Sequence, residues 1–269
     1  MIVRHVAIAG FVAIGAPATG PAASRVEAEV YILAGQSNMS GRGALSELST
    51  TDRVADERIT VYGNDGTLRV ALDPLDDASG QVDAVSADRQ AAVGPGLPFA
   101  RAMLRRHGRA IVLVPCAKGG SSMAQWAPGG DRSTLYGSCI ARAREAGGRI
   151  AGMLWYQGES DARDVATAAR WSAAFADLVT AFRRDLRMPQ LAVSAVSLSD
   201  RPVRDADRYP GWTDIQRQQT HLKIACTDGV SAAGLPHNAD DLHLATRAQQ
   251  RLGTMLAGSM TRLRREGCR

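Results

Sequence analysis

Short apolar runs and longer amphipathic ones take turns along this chain. Residues 30–34, 111–115, 150–156, 191–196 and 223–226 read as strands. Residues 97–107, 135–146, 166–184 and 245–265 carry apolar side chains at helical spacing and read as helices. Several of the strands are continuous apolar runs, the pattern of a parallel sheet covered on both faces. Strands and helices in alternation predict an α/β fold, a doubly wound three-layer α/β/α sandwich. Asn64-Asp65-Gly66 is a strong turn between 59–62 and 68–72, so an antiparallel hairpin is expected there. No internal repeat, low-complexity tract or linker interrupts the pattern, which predicts one domain.

The N-terminus departs from this alternation. Arg4 and His5 precede an apolar run at 6–14, followed by Ala16-Pro17-Ala18 and small residues through Ala23. Charge, short apolar run and small residues in that order resemble a secretory signal peptide, and the run is too short for a membrane span. Residues 1–28 are therefore expected to be a signal peptide and leader, cleaved after Ala18, Ala23 or Ala28. The remainder, 29–269, is expected to be a single domain exported to the periplasm or beyond, without stable membrane insertion.

Composition narrows the function classes. A chain of 269 residues with 45% hydrophobic and 22% charged residues can bury a full core. The net charge of +5 comes mostly from scattered Arg, with a cluster at Arg262, Arg264 and Arg265. Nucleic-acid binding needs basic residues gathered beside aromatics, and aromatics are only 5%, so the cluster reads as a solvated helix end. Four cysteines (Cys116, Cys139, Cys226, Cys268) allow three complete pairings that sequence cannot rank. Cys116 and Cys226 sit in apolar, strand-like surroundings and read as buried thiols. No Cys-x-x-Cys pair is present, which argues against a structural zinc site.

Four polar clusters carry the candidate chemistry. Gly35-Gln36-Ser37-Asn38, Ala117-Lys118-Gly119-Gly120-Ser121-Ser122 and Gln157-Gly158-Glu159-Ser160-Asp161 each follow an expected strand; Asp240-Asp241-Leu242-His243 precedes the last helix. Singly, each has a plainer reading as a turn, a flexible loop or a helix cap. Ligands in open parallel sheets bind beyond the carboxyl ends of the strands, so three of the clusters are expected on one rim. Ser37 is then a candidate nucleophile and His243 its base. Asp240, three residues before His243, is the carboxylate partner, with Asp241 as its rival. Backbone N–H groups of Ser37 and of Gly119-Gly120, assigned to Gly119, and the amide of Gln157 are candidate oxyanion donors. Glu159, which can only accept when ionised, is assigned to orienting the neighbouring loops. His237, Asp240, Asp241 and His243 do not complete a metal set, and neither metal nor cofactor is expected.

These blocks match a known family. Residues 32–43, 94–100, 115–122, 155–161 and 241–244 resemble the sialate O-acetylesterase-like branch of the SGNH hydrolase superfamily. Within it the chain looks most like carbohydrate esterase family six, which contains acetylxylan esterases. The resemblance implies a flavodoxin-like parallel sheet and a serine esterase with Ser37, His243 and Asp240 in the catalytic roles. The superfamily's usual Asn in the third block is absent, with Gln157 in its place. It also implies acetylated xylan as substrate, with acetylated sialic acid or a general short-chain ester as alternatives. Lys118, Trp126 and Arg42 lie in or after the rim loops and are candidate sugar contacts, Trp126 by stacking or else packed beneath its loop. An inactive carbohydrate-binding relative is the alternative of a different class. Oligomeric state is open.

Overall fold

Glu29–Gly35 forms β1, the middle strand of a seven-stranded sheet in a computed structural model that describes residue 2 and residues 27–266. The proposed signal segment and Cys268 therefore lie almost wholly outside the described residues. On one side of β1 lies β4 (Ile111–Pro115), then β2 (Ile59–Tyr62) and β3 (Leu68–Val70); on the other lie β5 (Arg149–Tyr156), β6 (Val193–Ser197) and β7 (Thr227–Ser231). All neighbours pair in parallel except β2 with β3, the expected hairpin. The sheet is thus mixed, with one antiparallel edge strand. Chain order diverges on either side of β1, the kind of switch point where open α/β sheets leave a crevice.

Helices cover both faces. On one, α2 (Gly96–His107) and α7 (Thr246–Glu266) pack together; Tyr31 meets Phe99 edge-on at 4.9 Å, and Ser194 donates to Ser259 at 2.7 Å. On the other, α3 (Leu135–Glu145) and α5 (Trp171–Asp185) meet through Tyr136 and Phe182, and Trp155 packs on Phe175. The strands between them are continuous apolar runs because both faces are buried.

Three expectations need correction. The run at 223–226 is not a strand: Cys226 takes a left-handed φ of 55°, and β7 begins at the next residue. Its sequence, Thr-Asp-Gly-Val-Ser, is polar because β7 is an edge strand with exposed positions. The helix expected at 166–184 is two, α4 (Val165–Ala169) and α5, divided at Arg170; α6 (Trp212–Thr220) was not anticipated, since only Trp212, Ile215 and Gln219 are buried there. Cys116 is no free thiol. It is disulfide-bonded to Cys139 across a Cα separation of 5.4 Å, tying the end of β4 to α3, and Cys226 is disulfide-bonded as well.

The C-terminal basic cluster is also less solvated than its sequence suggests. Arg264 grips the buried Glu29 at the start of β1 with contacts of 2.6 and 2.7 Å, and Arg262 pairs with Asp228 at 2.6 Å.

Candidate active site

The end of β1 places the serine. Gly35 has φ +131°, and a Cβ there would lie 2.1 Å from the Tyr156 carbonyl, so only glycine lets β1 finish against β5. The chain then turns, and Ser37 opens the single turn α1 (Ser37–Ser40). Its N–H, in the first position of that turn, has no intrahelical acceptor.

Asp240 and His243 arrive from the loop before α7. His243 Nε2 is 2.9 Å from Ser37 Oγ, and His243 Nδ1 is 2.6 Å from Asp240 Oδ2. Asp240 Oδ1 accepts the backbone N–H groups of Leu242 (3.1 Å) and His243 (3.0 Å). Partial burial pushes the Asp240 carboxyl up, but these N–H donors and the imidazole outweigh it and hold the carboxyl below its usual range. An ionised carboxylate accepts only, so it fixes the Nδ1–H tautomer and leaves the Nε2 lone pair facing the Ser37 hydroxyl. Asp241 points elsewhere. Its backbone is left-handed (φ 60°), and its carboxylate takes the N–H groups of Val203 and Arg204.

Asn38, which the sequence reading passed over, clamps the two halves together. Its Oδ1 accepts Leu244 N–H at 2.9 Å, and its Nδ2 donates to Leu242 O at 3.3 Å and to Glu159 Oε1 at 2.8 Å. Both neighbours of His243 are thereby held by the residue after Ser37. Glu159 is buried, and burial pushes its carboxyl up against the opposing bond from Asn38. The signal was available in Gly35-Gln36-Ser37-Asn38, but nothing in sequence says that Asn38 faces a loop two hundred residues away.

The expected oxyanion donors are rearranged. Gly119 gives its N–H to Asp88 Oδ2 at 2.8 Å, so it is already engaged. The N–H of Gly120 has no acceptor among the described residues. Gln157 is fully buried and outside the cleft lining; its Nε2 donates to Asp161 Oδ2 (2.5 Å), Ser121 O (3.1 Å) and Gln36 Oε1 (3.4 Å). It has no donor left for a substrate. Asp88 was also missed: it accepts from Gly119 N, from Ser40 Oγ at 2.8 Å and, through both of its oxygens, from Arg42 Nη2. Burial raises its carboxyl, yet the Arg42 guanidinium and these donors win and hold it low.

Of the candidate sugar contacts, Trp126 is ruled out. It is 0% exposed, donates Nε1 to Ser121 Oγ at 3.0 Å and packs edge-on against Trp155, so it presents no face for stacking. Lys118 does line the cleft, with its Nζ 2.5 Å from Ala87 O, and Arg42 lines it while bound to Asp88. The cleft has a volume of about 520 Å³ and holds Gln36, Ser37, Gly120 and His243 beside Arg89, Lys118 and Arg163. Among the described residues there is no His, Cys, Asp and Glu group that could hold a metal ion, and no helix long and apolar enough to cross a membrane.

A serine hydroxyl, an imidazole and a carboxylate in one hydrogen-bonded line, beside unengaged N–H donors, can perform acyl transfer. The model of the carbohydrate esterase family of sialic acid-specific acetylesterases matches residues 27–262. The chain belongs to this family. It is a carbohydrate acetylesterase, an enzyme of O-acetyl ester hydrolysis on sugars. A probable carbohydrate esterase of Arabidopsis thaliana is 34% identical over 241 residues, covering 85% of this chain and 88% of the plant protein. An X-ray structure of an Arabidopsis thaliana protein matches the esterase with a TM-score of 0.76 at 30% identity, over 87% of this chain and 98% of that one. Two others share the fold at lower identity. A carbohydrate acetylesterase from Xanthomonas citri has a TM-score of 0.67 at 21% identity, over 88% of this chain and 56% of that one. NanS has a TM-score of 0.68 at 20% identity, over 91% and 99%.

Proposed function

We propose that the esterase removes O-acetyl groups from sugars through an acetyl-Ser37 intermediate. The observation that carries this reading is the line from Asp240 through His243 to Ser37 Oγ, with contacts of 2.6 and 2.9 Å. His243 Nε2 takes the hydroxyl proton as Ser37 Oγ adds to the acetyl carbon. The bond from that carbon to the sugar oxygen then breaks, and the same proton passes to the leaving sugar hydroxyl. Water repeats the sequence on acetyl-Ser37, its proton going to His243 and then to Ser37, and acetate leaves.

The cleft favours a substrate with a negative charge. Arg89, Lys118 and Arg163 line it, and none is ion-paired among the described residues. Its two acids are internally committed, Asp88 to Arg42 and Glu159 to Asn38. Such a lining attracts an acetylated sugar that carries a carboxylate, as sialic acid does. Acetylated xylan, expected from the resemblance to carbohydrate esterase family six, fits where its chain bears acidic side groups. The disulfides at Cys116–Cys139 and at Cys226 support the exported location read from the N-terminus.

Acetate release tests all of this. Wild-type and Ser37→Ala protein are compared on O-acetylated sialic acid, acetylated xylan and an aryl acetate. Release should depend on Ser37 throughout, and added salt should depress kcat/KM only for the anionic sugar. Full turnover by Ser37→Ala would sink the mechanism, and a preference for neutral xylan would sink the charge reading.

A further inference from the structure

One buried ion pair touches every segment that borders the reacting serine. Asp88 is 4% exposed and stands in the loop between β3 and α2. Its Oδ2 accepts the Gly119 N–H, the Ser40 hydroxyl and Arg42 Nη2, each at 2.8 Å. Its Oδ1 accepts Arg42 Nη2 at 2.9 Å and the Gln90 N–H at 3.2 Å. Ser40 closes the turn that Ser37 opens. Gly119 belongs to the loop after β4, and Lys118 ties that loop again to the residue before Asp88, through the Ala87 carbonyl at 2.5 Å. Arg42 carries the tie to the base. Its carbonyl accepts Asn238 Nδ2 at 2.8 Å, and the Asn238 N–H is bonded to the His243 carbonyl at 2.7 Å.

The approach is close enough to fix a residue type. A Cβ on Gly119 would lie 2.5 Å from Arg42 Nη2 and 2.8 Å from Asp88 Oδ2, so only glycine lets the loop rest on the pair. A buried ion pair adds little net stability, because desolvating both charges cancels most of their attraction. What a carboxylate bonded to several segments at once does supply is position.

We propose that Asp88 is a positioning residue for acyl transfer, resting this on the acetyl-Ser37 reading above. It sets the Gly119-Gly120 loop against the Ser37 turn and, through Arg42, the His243 loop against both. It acts through Gly119. With that N–H spent on Asp88, the next residue, Gly120, lies in the cleft with its own N–H unengaged among the described residues. Negative charge forms beside Ser37 as the serine adds, and a group misplaced there by about 1 Å can cost on the order of 100-fold in rate.

The test compares wild type with Asp88→Asn on an aryl acetate, below the temperature at which either unfolds. Asn keeps the shape but loses the charge and turns N–H groups toward one set of donors. kcat should fall on the order of 100-fold, with KM changed by less than about threefold. Methylboronic acid supplies a readout that a merely stabilising residue would not move. Ser37 Oγ adds to its boron, the hydroxyl proton passes to His243, and the tetrahedral adduct carries the negative charge of the reacting centre. Its inhibition should weaken along with kcat. Ser40→Ala removes one bond to Asp88 and leaves Gly119 and Arg42 on it, so it covers a folding defect of the first variant. It should lose about tenfold in kcat, the worth of one hydrogen bond. Unchanged kcat in either folded variant overturns the proposal, whatever happens to its melting temperature. So does a kcat loss without weaker boronate inhibition, which would mean that the Gly119-Gly120 loop is still in place. Ser37→Ala is run alongside. If it is inactive while Asp88→Asn turns over normally, only this proposal fails; if it too turns over, the acetyl-serine reading fails first.

Discussion

Both ends of β1 carry a polar network, and the two are built on opposite terms. At the start of the strand, Glu29 is 1% exposed and every charge is answered. Arg264 meets both of its oxygens, Arg149 meets one at 2.8 Å, Arg109 stands at 3.7 Å, and Tyr31 OH donates at 2.9 Å. Burial raises the Glu29 carboxyl, but Arg264, Tyr31 and Arg149 overcome it and hold the carboxyl below its usual range. At the far end the network is ordered but incomplete. Gln157, Asn38 and Asp88 are committed, whereas Gln36 Nε2 and the N–H of Gly120 have no acceptor, and three cations facing the cleft have no ion-pair partner, among the described residues. A closed network contributes to stability; one that leaves donors unspent keeps them for a substrate.

The sharpest way to break this contrast lies in the His243 loop. Asp240→Asn should lower kcat by about 10,000-fold, because an amide N–H facing Nδ1 forces the wrong imidazole tautomer. Asp241→Asn keeps an oxygen for the Val203 and Arg204 N–H groups and should stay within a few-fold of wild type. Equal losses in steady-state kinetics would mean that the two carboxylates are not divided as the geometry divides them.

At the closed end the effect should fall on stability alone. Arg264→Met strips Glu29 of its double contact but leaves Arg149 and Arg109, so the cost should be about 2 kcal/mol, below the usual figure for a fully orphaned buried charge. Thermal unfolding should drop by about 4–8 °C with kcat unchanged. The Glu29 carboxyl is held low, so its contribution is complete above pH 4.5 and disappears as pH falls through the lowered value. The gap between variant and wild type should therefore close in acid. A variant that melts like wild type at pH 7 would show that Glu29 does not need Arg264.

The smallest effect belongs to Glu159, whose Oε2 is buried with no hydrogen-bond partner among the described residues. Burial raises its carboxyl above the ordinary 4.5, so ionising it costs stability as pH climbs from 4.5 toward the raised value. Glu159→Gln keeps the bond from Asn38 and carries no charge. The two proteins should melt together near pH 4, with the variant up to about 1 kcal/mol more stable at pH 7.5. A gap of the opposite sign would mean that the ionised form is compensated in the fold.

Much of this was written in the order of residues. Continuous apolar runs such as 111–115 and 150–156 fit a sheet covered on both faces, and Asn64-Asp65-Gly66 is a strong turn signal; both expectations hold in the fold. Asp240 and His243, three apart, could meet within one loop. Local spacing also brought Ser37 to the end of a strand. What spacing does not hold is the spending of hydrogen bonds between distant segments. Gly119 and Gln157 have the right chemistry for an oxyanion, and tertiary contacts gave both away, one to Asp88 and one to Asp161. Trp126 could stack on a sugar or pack beneath its loop, and the fold decided for packing, edge-on against Trp155. Periodicity is set by a residue and its near neighbours, so it is legible in sequence. Which donor remains free depends on every acceptor within reach, and only the folded chain decides that.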